Sequence, residues 1–402
     1  MEILTALYLV AGGVFIFFLV LPFAGAVFSF FIKEKVKDVA KPVQFDYGCI
    51  ITAYKNAEIA KGLVRSLLVQ RYSNFTIYLV ADACDISNWD IEDEKLVVLR
   101  PEEPLNLKAK SIIHATEHFR RDHDYIVVFD ADNLAHPAFL SQINRYANAG
   151  FTCIQGQRTA KNLDTVYACA DATGEFYKNY VERLLPYRLG SSAVISGSGM
   201  AVEAALYKAY LNSPEIEQGK YRWKKMLQED KILQNYILRE NGRIAYAWDA
   251  IVYDEKVTSA TAVETQRSRW LYSYFQNLPN SLGILRRGIL AASFNQVLFG
   301  LITLGPPLFI LLLGALLLAV AGWFLVPWMA WMLAGAVIIF SANILLTLYL
   351  SDAPKQVWKA LWGLPLFIWN QMKALFKIGN PDKNFKHTEH DRNVNLEEVM
   401  KN

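Results

Sequence analysis

Residues 125–132 read Tyr-Ile-Val-Val-Phe-Asp-Ala-Asp, an apolar run that stops on two carboxylates one residue apart. A run without a polar face belongs to a strand buried on both sides, as in a parallel sheet covered by helices. Four further runs have a similar character: Tyr47 to Ala53, Phe75 to Ala81, Leu96 to Leu99 and Phe151 to Gln155. Helical patterns alternate with them near Ala57 to Gln70, Lys110 to Arg120 and Pro137 to Ala147. Strands separated by helical crossovers predict an α/β domain with a doubly wound, mostly parallel sheet. Such sheets bind ligands at the carboxyl ends of their strands. Asp82 ends the second strand and Asp130 and Asp132 end the fourth, so three carboxylates are expected at one edge. Hard oxygen donors of this kind suit Mg2+ or Mn2+ bridging a diphosphate. A D-x-D alone is also what a solvated turn contains, so its context has to decide.

Outside this segment the chain is apolar. Ile3 to Ile32 carries no charge, more than the ~20 residues one bilayer crossing needs. The run starts after Glu2 and ends at Lys33, unlike a cleaved signal, and so reads as a retained anchor. Lys33, Lys35, Lys37 and Lys41 follow it. Basic flanks stay cytoplasmic, which predicts an outside N-terminus and a cytosolic domain behind it. Gly288 to Ser351 is also uncharged, and Lys355, Lys359, Lys373 and Lys377 come after it. Two crossings satisfy both basic flanks, near Leu298 to Val320 and Trp328 to Leu350, with Trp323, Trp328 and Trp331 as an interfacial belt. Trp358, Leu361, Leu364, Phe367 and Ile368 among lysines predict an amphipathic helix on the inner surface. The expected organisation is an anchor and basic flank over 1–40, a soluble domain over 41–287, a transmembrane hairpin over 288–351, an interfacial helix over 352–378 and a polar tail over 379–402. The expected location is the plasma (inner) membrane.

Composition agrees with a mixed soluble and membrane chain: 53% of residues are hydrophobic, too many for a disordered protein. The 41 basic residues against 38 acidic ones lack the basic surplus of a general nucleic-acid binder, so no nucleic-acid partner is expected. Cys49, Cys84, Cys153 and Cys169 show no C-x-x-C spacing and read as reduced thiols.

The context that decides the D-x-D is an ordered series of motifs: ITAYKNAE, VADACD, LKAKS, FDADN, ISGSGMAV, QEDKIL, GRIAYAWDAIVYDE and QRSRW. The series resembles family 2 glycosyltransferases over nearly all of Tyr47 to Trp270. QRSRW is similar to the Q-x-x-R-W of membrane-embedded synthases of cellulose, chitin and hyaluronan type, and of glucosylceramide-type synthases. The resemblance implies a GT-A fold with a nucleotide-sugar donor, UDP-linked in the expected case, laid across the sheet edge. It implies donor contacts from Tyr54, Asp82, Lys108, Asp130, Asp132, Arg267 and Arg269, and Asp130 and Asp132 as holders of Mg2+ or Mn2+. It implies Asp230 as the base that takes a proton from the acceptor, with Glu229 beside it. Gln266, Trp270, Ser198 and Gly199 would face the acceptor. The implied reaction is a single in-line displacement at the anomeric carbon, which inverts an α-linked donor into a β-linked product. The sequence departs from the family at Thr52, Lys55 and Asn56, where Pro, Asn and Glu are usual, and at Gln228, where polymer synthases commonly carry Thr.

Other patterns have plainer readings. His114-Ala-Thr-Glu117-His118 matches H-x-x-E-H but falls within a crossover helix without a third ligand at a recognisable spacing. Ser196-Gly197-Ser198-Gly199 lacks the Lys-Ser/Thr of a P-loop and reads as a tight turn. Arg158 and Lys161, after the fifth strand, are either ligand contacts or surface charges. Arg286 and Arg287 are expected at the lipid headgroups. The leading functional expectation is a membrane β-glycosyltransferase acting on a saccharide acceptor in polysaccharide assembly. Three spans hardly enclose a sugar-wide pore, so that reading needs a homo-oligomer or an export partner; a lipid acceptor at the bilayer surface needs neither. A non-catalytic nucleotide-sugar-binding scaffold is the alternative of a different class.

Overall fold

A computed structural model describes residues 2–32, 36, 39–222, 228–375 and 396–400. Lys33, Lys35, Lys37, Lys377, the end of the expected interfacial helix and most of the tail lie outside the described residues. The strands are β1 (Tyr47–Asn56), β2 (Phe75–Asp85), β3 (Leu96–Leu99), β4 (Tyr125–Asp130), β5 (Leu134–Ala135), β6 (Cys153–Ala160), β7 (Met200–Glu203) and β8 (Ile244–Asp254). They form one sheet in the order β3-β2-β1-β4-β7-β6-β8-β5. β3, β2, β1 and β4 run parallel to their neighbours, as do β6 and β8, whereas β7 is antiparallel to β4 and β6 and β5 is antiparallel to β8. The α/β sheet is thus mixed but mostly parallel. Ile50, Ile51, Val127, Val128 and Phe129 are completely buried, which is why these runs carry no polar face.

The helices are α1 (Glu2–Phe31), α2 (Lys61–Leu68), α3 (Lys108–Glu117), α4 (Phe139–Asn148), α5 (Val166–Lys178), α6 (Leu185–Arg188), α7 (Ala204–Leu211), α8 (Pro214–Arg222), α9 (Glu229–Arg239), α10 (Ala260–Leu290), α11 (Phe294–Leu304), α12 (Leu308–Leu325), α13 (Pro327–Leu350), α14 (Lys355–Ala360) and α15 (Leu364–Leu375). A π-helical stretch, Asn179–Leu184, joins α5 to α6. The crossover helices bury one stripe each: α4 turns Phe139, Leu140, Ile143, Tyr146 and Ala147 toward the sheet at the spacing of a helix face. β5, β7 and β8 do not stand among the expected strands. β7 has four residues behind a glycine turn, too short for a periodicity of its own.

Among the described residues three helices are long and apolar enough to cross a membrane: α1, of which Glu2–Ser29 qualifies, α12 and α13. The crossing expected to begin near Leu298 begins instead at Leu308. Pro306 and Pro307 lack the amide hydrogens a continuous helix requires, so α11 ends at Leu304 and α12 starts afresh. The three helices pack closely, with Gly12 against Met329, Gly314 against Phe15 and Gly322 against Tyr8. Tyr8, Leu19, Leu311, Ala315 and Leu333 of these helices are buried, and Phe340 of α13 meets Tyr177 of α5 at 5.8 Å. Trp323 and Trp331 meet edge to face at 5.6 Å near the α12–α13 turn.

Candidate active site

The carboxyl ends of β1, β2 and β4 meet at one edge, and the backbone there is strained. Lys55, Ala83 and Asn106 have φ of 63°, 53° and 58°, three of the six left-handed non-glycine residues among those described. Such conformations persist where surrounding structure over-determines them. Here the determinant is Asp82, whose two oxygens accept the amide hydrogens of Leu105 and Asn106, each at 2.8 Å. Asn106 in turn accepts from the Tyr54 hydroxyl at 2.8 Å. Tyr54 and Asp82 are therefore brought together, and the buried Asp82 carboxylate organises the loop ahead of Lys108.

Lys108 is the centre of the site. Its Nζ donates to Asp130 Oδ1 at 2.6 Å and to the Gly197 carbonyl at 2.7 Å, and lies 3.8 Å from Glu229 Oε1. Burial pulls the Lys108 pKa down, but Asp130, Glu229 and Asp230 outweigh it and the net shift is upward. Glu229 behaves oppositely: burial, with Asp230 adding to it, raises its carboxyl from 4.5 to about 7 against the pull of Lys108. Glu229 and Asp230 open α9, where exposed amide hydrogens and the helix dipole favour negative charge. Asp230 Oδ1 accepts the Lys231 amide at 2.8 Å, and Oδ2 lies 3.6 Å from Lys231 Nζ.

The Ser196–Gly199 turn closes over these groups. Gly197 and Gly199 have φ of 82° and 63°, and a Cβ on Gly197 would stand 3.4 Å from Asp230 Oδ2. Only glycine takes this path without strain. Ser198 Oγ accepts the Asp130 amide at 3.0 Å and donates to Asn133 Oδ1. Ser198 and Gly199 thus shape the Asp130 turn from behind. Asp132 is buried, and its Oδ1 accepts from Asn133 Nδ2 at 3.3 Å. No group of three or more metal-ligating side chains occurs among the described residues. Mg2+ and Mn2+ are commonly held by one or two carboxylates plus substrate phosphates, so Asp130 and Asp132 fit such an ion once a diphosphate completes its shell.

Behind the edge lies a charge network that sequence reasoning missed. Asp254, at the end of β8, accepts from Asn133 Nδ2 at 3.2 Å, from Arg158 at 2.5 Å and from Lys256 at 2.9 Å. Lys256 also reaches Glu175 at 3.4 Å, and Arg183 reaches Glu175 at 3.0 Å. Burial would raise Asp254, but Arg158 and Lys256 hold its pKa down at about 2. The Arg158 side chain is largely enclosed, paired with Asp254 and within the influence of Glu175 and Asp130, so it is not a surface charge. The available signal was position: Asp254 ends β8 as Asp130 ends β4, whereas β2 runs three residues past Asp82 to Asp85.

The QRSRW residues gather on this network's far side. Arg267 pairs with Asp171 on α5 and lies over the Trp270 ring at 4.2 Å and the Phe367 ring of α15 at 5.7 Å. Lys178 Nζ lies 4.7 Å from the same Trp270 ring, which is 37% exposed. Burial lowers the pKa of both Lys178 and Arg269. Gln266 Oε1 and Arg267 Nε are buried without a hydrogen-bond partner. Asp171, Glu175 and Lys178 lie along α5, so that helix links QRSRW to Lys256, Arg158 and the Asp130 turn. His114 of α3 and His118 just past its end lie 4.2 Å apart with rings tilted by 35°, and His118 Nδ1 engages the His114 carbonyl at 2.7 Å.

The fold is an α/β domain with a mixed, mostly parallel sheet and carboxylates at one edge. A family-wide sequence profile described as "Glycosyltransferase like family 2" matches residues 45–273, more than half of the chain. The chain belongs to this glycosyltransferase family, and its sheet is GT-A-like. Among solved structures it is similar to the mannosyltransferase PcManGT from Pyrobaculum calidifontis in complex with GDP-Man and Mn2+, with TM-score 0.52 and 13% identity over 92% of this chain and 100% of that one. S. aureus TarS 1–349 in complex with UDP aligns at TM-score 0.39 and 14% identity over 60% of this chain and 65% of that one. At 13% identity the likeness to PcManGT concerns the fold. No curated protein matches.

Proposed function

We propose that the chain is a membrane-anchored inverting hexosyltransferase, which moves a sugar from a nucleotide donor to an acceptor at the bilayer surface. The observation that carries this reading is the joining of Asp130, Glu229 and Asp230 around one lysine at the carboxyl edge of the sheet. Asp230 takes the proton of the acceptor hydroxyl, whose oxygen bonds to the anomeric carbon as the bond to the diphosphate breaks. Lys108 then has two charges to serve, Asp130 and the departing diphosphate, and its Gly197 carbonyl is the partner it can most readily give up. Asp130 and Asp132 would hold Mg2+ or Mn2+, which supplies positive charge to the leaving group. Tyr54 and the loop fixed by Asp82 border the base. Arg267 reaches a donor phosphate only by exchanging Asp171, and Arg269 and Gln266 flank it; Trp270 offers the acceptor its exposed part.

The acceptor follows from the membrane helices. A polysaccharide route needs a polar lumen, whereas Tyr8, Phe15, Met329 and Leu333 fill the space between the three helices. A saccharide acceptor in polymer assembly therefore requires a further copy or an export partner. A lipid-borne acceptor requires only the interface, where Trp362 and Trp369 of the 361–375 segment are exposed beside Phe367 and Arg267. The lipid reading is the one this packing favours. The inward, cytosolic placement of the domain rests on the basic flanks.

The test is nucleotide release by the full chain in lipid nanodiscs with Mn2+ or Mg2+ across UDP- and GDP-sugars, alongside Asp230→Asn. Release with one donor, reduced about 10²- to 10⁴-fold in the variant, is expected. Undiminished release in Asp230→Asn would remove Asp230 as the base. No release with any donor, even with added lipid acceptors, would favour the scaffold reading.

A further inference from the structure

Lys178 ends α5 between the membrane helices and QRSRW. Its neighbour Tyr177 packs on Phe340 of α13 at 5.8 Å, and the hydroxyl of Tyr180 lies 3.5 Å from Ser29 of α1. From Pro327, where α13 starts, to Phe340 a helix rises roughly 20 Å. The hydrocarbon of a bilayer is about 30 Å thick. With α13 as a membrane span, the end of α5 therefore meets it at the level of the near leaflet and not out in solvent. The charge of Lys178 is poorly served there. Among the described residues its ammonium makes no hydrogen bond and no ion pair, and its close partner is the Trp270 ring, 4.7 Å from Nζ. An indole face attracts a cation but offers no lone pair to its three N–H donors. Glu182 and Glu175 act on Lys178 through space, and Arg267 and Arg183 act against them. Two nearby carboxylates are engaged elsewhere: Glu175 holds Lys256 at 3.4 Å and Arg183 at 3.0 Å, and Asp171 holds Arg267. Burial pulls the Lys178 pKa down, as it does for an ammonium short of acceptors.

Arg267 lies over the same ring at 4.2 Å, so two cations border the partly exposed Trp270 indole. A neutral sugar laid on this ring competes with both of them. A ligand bearing oxyanions instead supplies Lys178 with the acceptors it lacks, in bonds that charge strengthens. The side of the ring toward α15 belongs to the bilayer surface: Phe367 lies 5.7 Å from Arg267, and Leu366 and Trp369 on either side of Phe367 in the chain are exposed.

We propose that Lys178, beside Arg267 and Trp270, binds a phosphate carried by the lipid that serves as acceptor. The proposal names the head group of the acceptor, and it rests on the transferase reading and on the membrane helices. The full chain is placed in phosphatidylcholine nanodiscs, alone or with equal mole fractions of dodecyl phosphate, dodecanol or phosphatidylglycerol. Acetylation of Lys178 by acetic anhydride is followed by peptide mass spectrometry, with the exposed Lys355 and Lys359 as references. Dodecyl phosphate is expected to slow acetylation of Lys178 about tenfold more than that of the references, as one charge-assisted hydrogen bond would. Equal slowing by dodecanol would reduce the effect to apolar cover, and equal slowing by phosphatidylglycerol to surface charge; either overturns the proposal. Equal slowing by inorganic phosphate, or by UDP or GDP with Mn2+, would overturn it in favour of a soluble phosphate or the donor diphosphate. Amide hydrogen exchange over residues 176–180 and 266–271 gives a second reading. Dodecyl phosphate should slow it in the parent and in Lys178→Arg but not in Lys178→Gln, while all three proteins unfold thermally alike. Slowing that persists in Lys178→Gln would place the phosphate elsewhere and overturn the assignment. None of these readouts depends on turnover. Nucleotide release without protection of Lys178 would strike the phosphate-bearing acceptor alone, whereas protection in a chain that releases no nucleotide would strike the transferase reading and with it the word acceptor.

Discussion

The carboxylate edge around Lys108 and the charged core around Asp254 use the same residue types to opposite ends. At the edge, Asp130 is partly exposed, Glu229 carries a carboxyl raised to about 7, and the backbone at Lys55, Ala83 and Asn106 is strained. In the core, Asp254 and Glu175 are buried against Arg158, Lys256 and Arg183, and both carboxyls are held low. One region keeps its charges imperfectly matched and so available to a ligand. The other matches them with each other and serves as a frame, with Asn133 carrying its position to Asp132 and Ser198. A perturbed carboxyl marks chemistry only when its own partners do not already satisfy it.

The frame is the first thing to break. Asp254→Ala leaves Arg158 and Lys256 buried beside an empty position and is expected to cost about 3–5 kcal/mol of stability, read by thermal or denaturant unfolding. A loss below about 1 kcal/mol would show that the core is wetter and more adaptable than its burial implies.

Glu229 tests the edge. Its folded-state pKa lies above its ordinary value of 4.5, so the folded protein binds the extra proton between about 4.5 and 7. Stability therefore falls as pH rises through that window and stays reduced above it. Glu229→Gln should flatten this dependence and stabilise the protein at pH 8 by roughly 1–3 kcal/mol. Equal slopes in parent and variant would place Glu229 in the matched class with Asp254.

Two smaller effects concern the junction between the regions. Asp171→Asn frees Arg267 from its carboxylate and is expected to lower the donor KM by roughly fivefold, the equivalent of one charged hydrogen bond redirected. A raised KM would mean instead that Asp171 positions Arg267 for the donor. Trp270→Ala should raise the acceptor KM a few-fold, in the range of about 1 kcal/mol for an aromatic contact, with donor hydrolysis unchanged. Equal loss of both would make Trp270 a support for Arg267 and Lys178.

The strands that carry the edge were legible because their apolar runs are local and end on their carboxylates. Asp82, Asp130 and Asp132 could be assigned to one edge before any contact was known, and the motif order pointed to the family. β7 was not legible, since its four residues form a strand only by pairing with β4 and β6. The break at Gly305-Pro306-Pro307 was written in the sequence but lay within an apolar stretch whose length alone allowed a longer span.

By itself, then, the sequence determined what depends on neighbouring residues: hydrophobic period, helix-ending prolines, left-handed glycines and the spacing of the motifs. Tertiary structure alone decided which charge meets which. Arg267 lies 96 positions from Asp171, and Asp254 lies 121 from Asn133, so nothing local selects them as partners. The choice is made by burial, because a charge taken out of water must find its opposite wherever the fold has brought one.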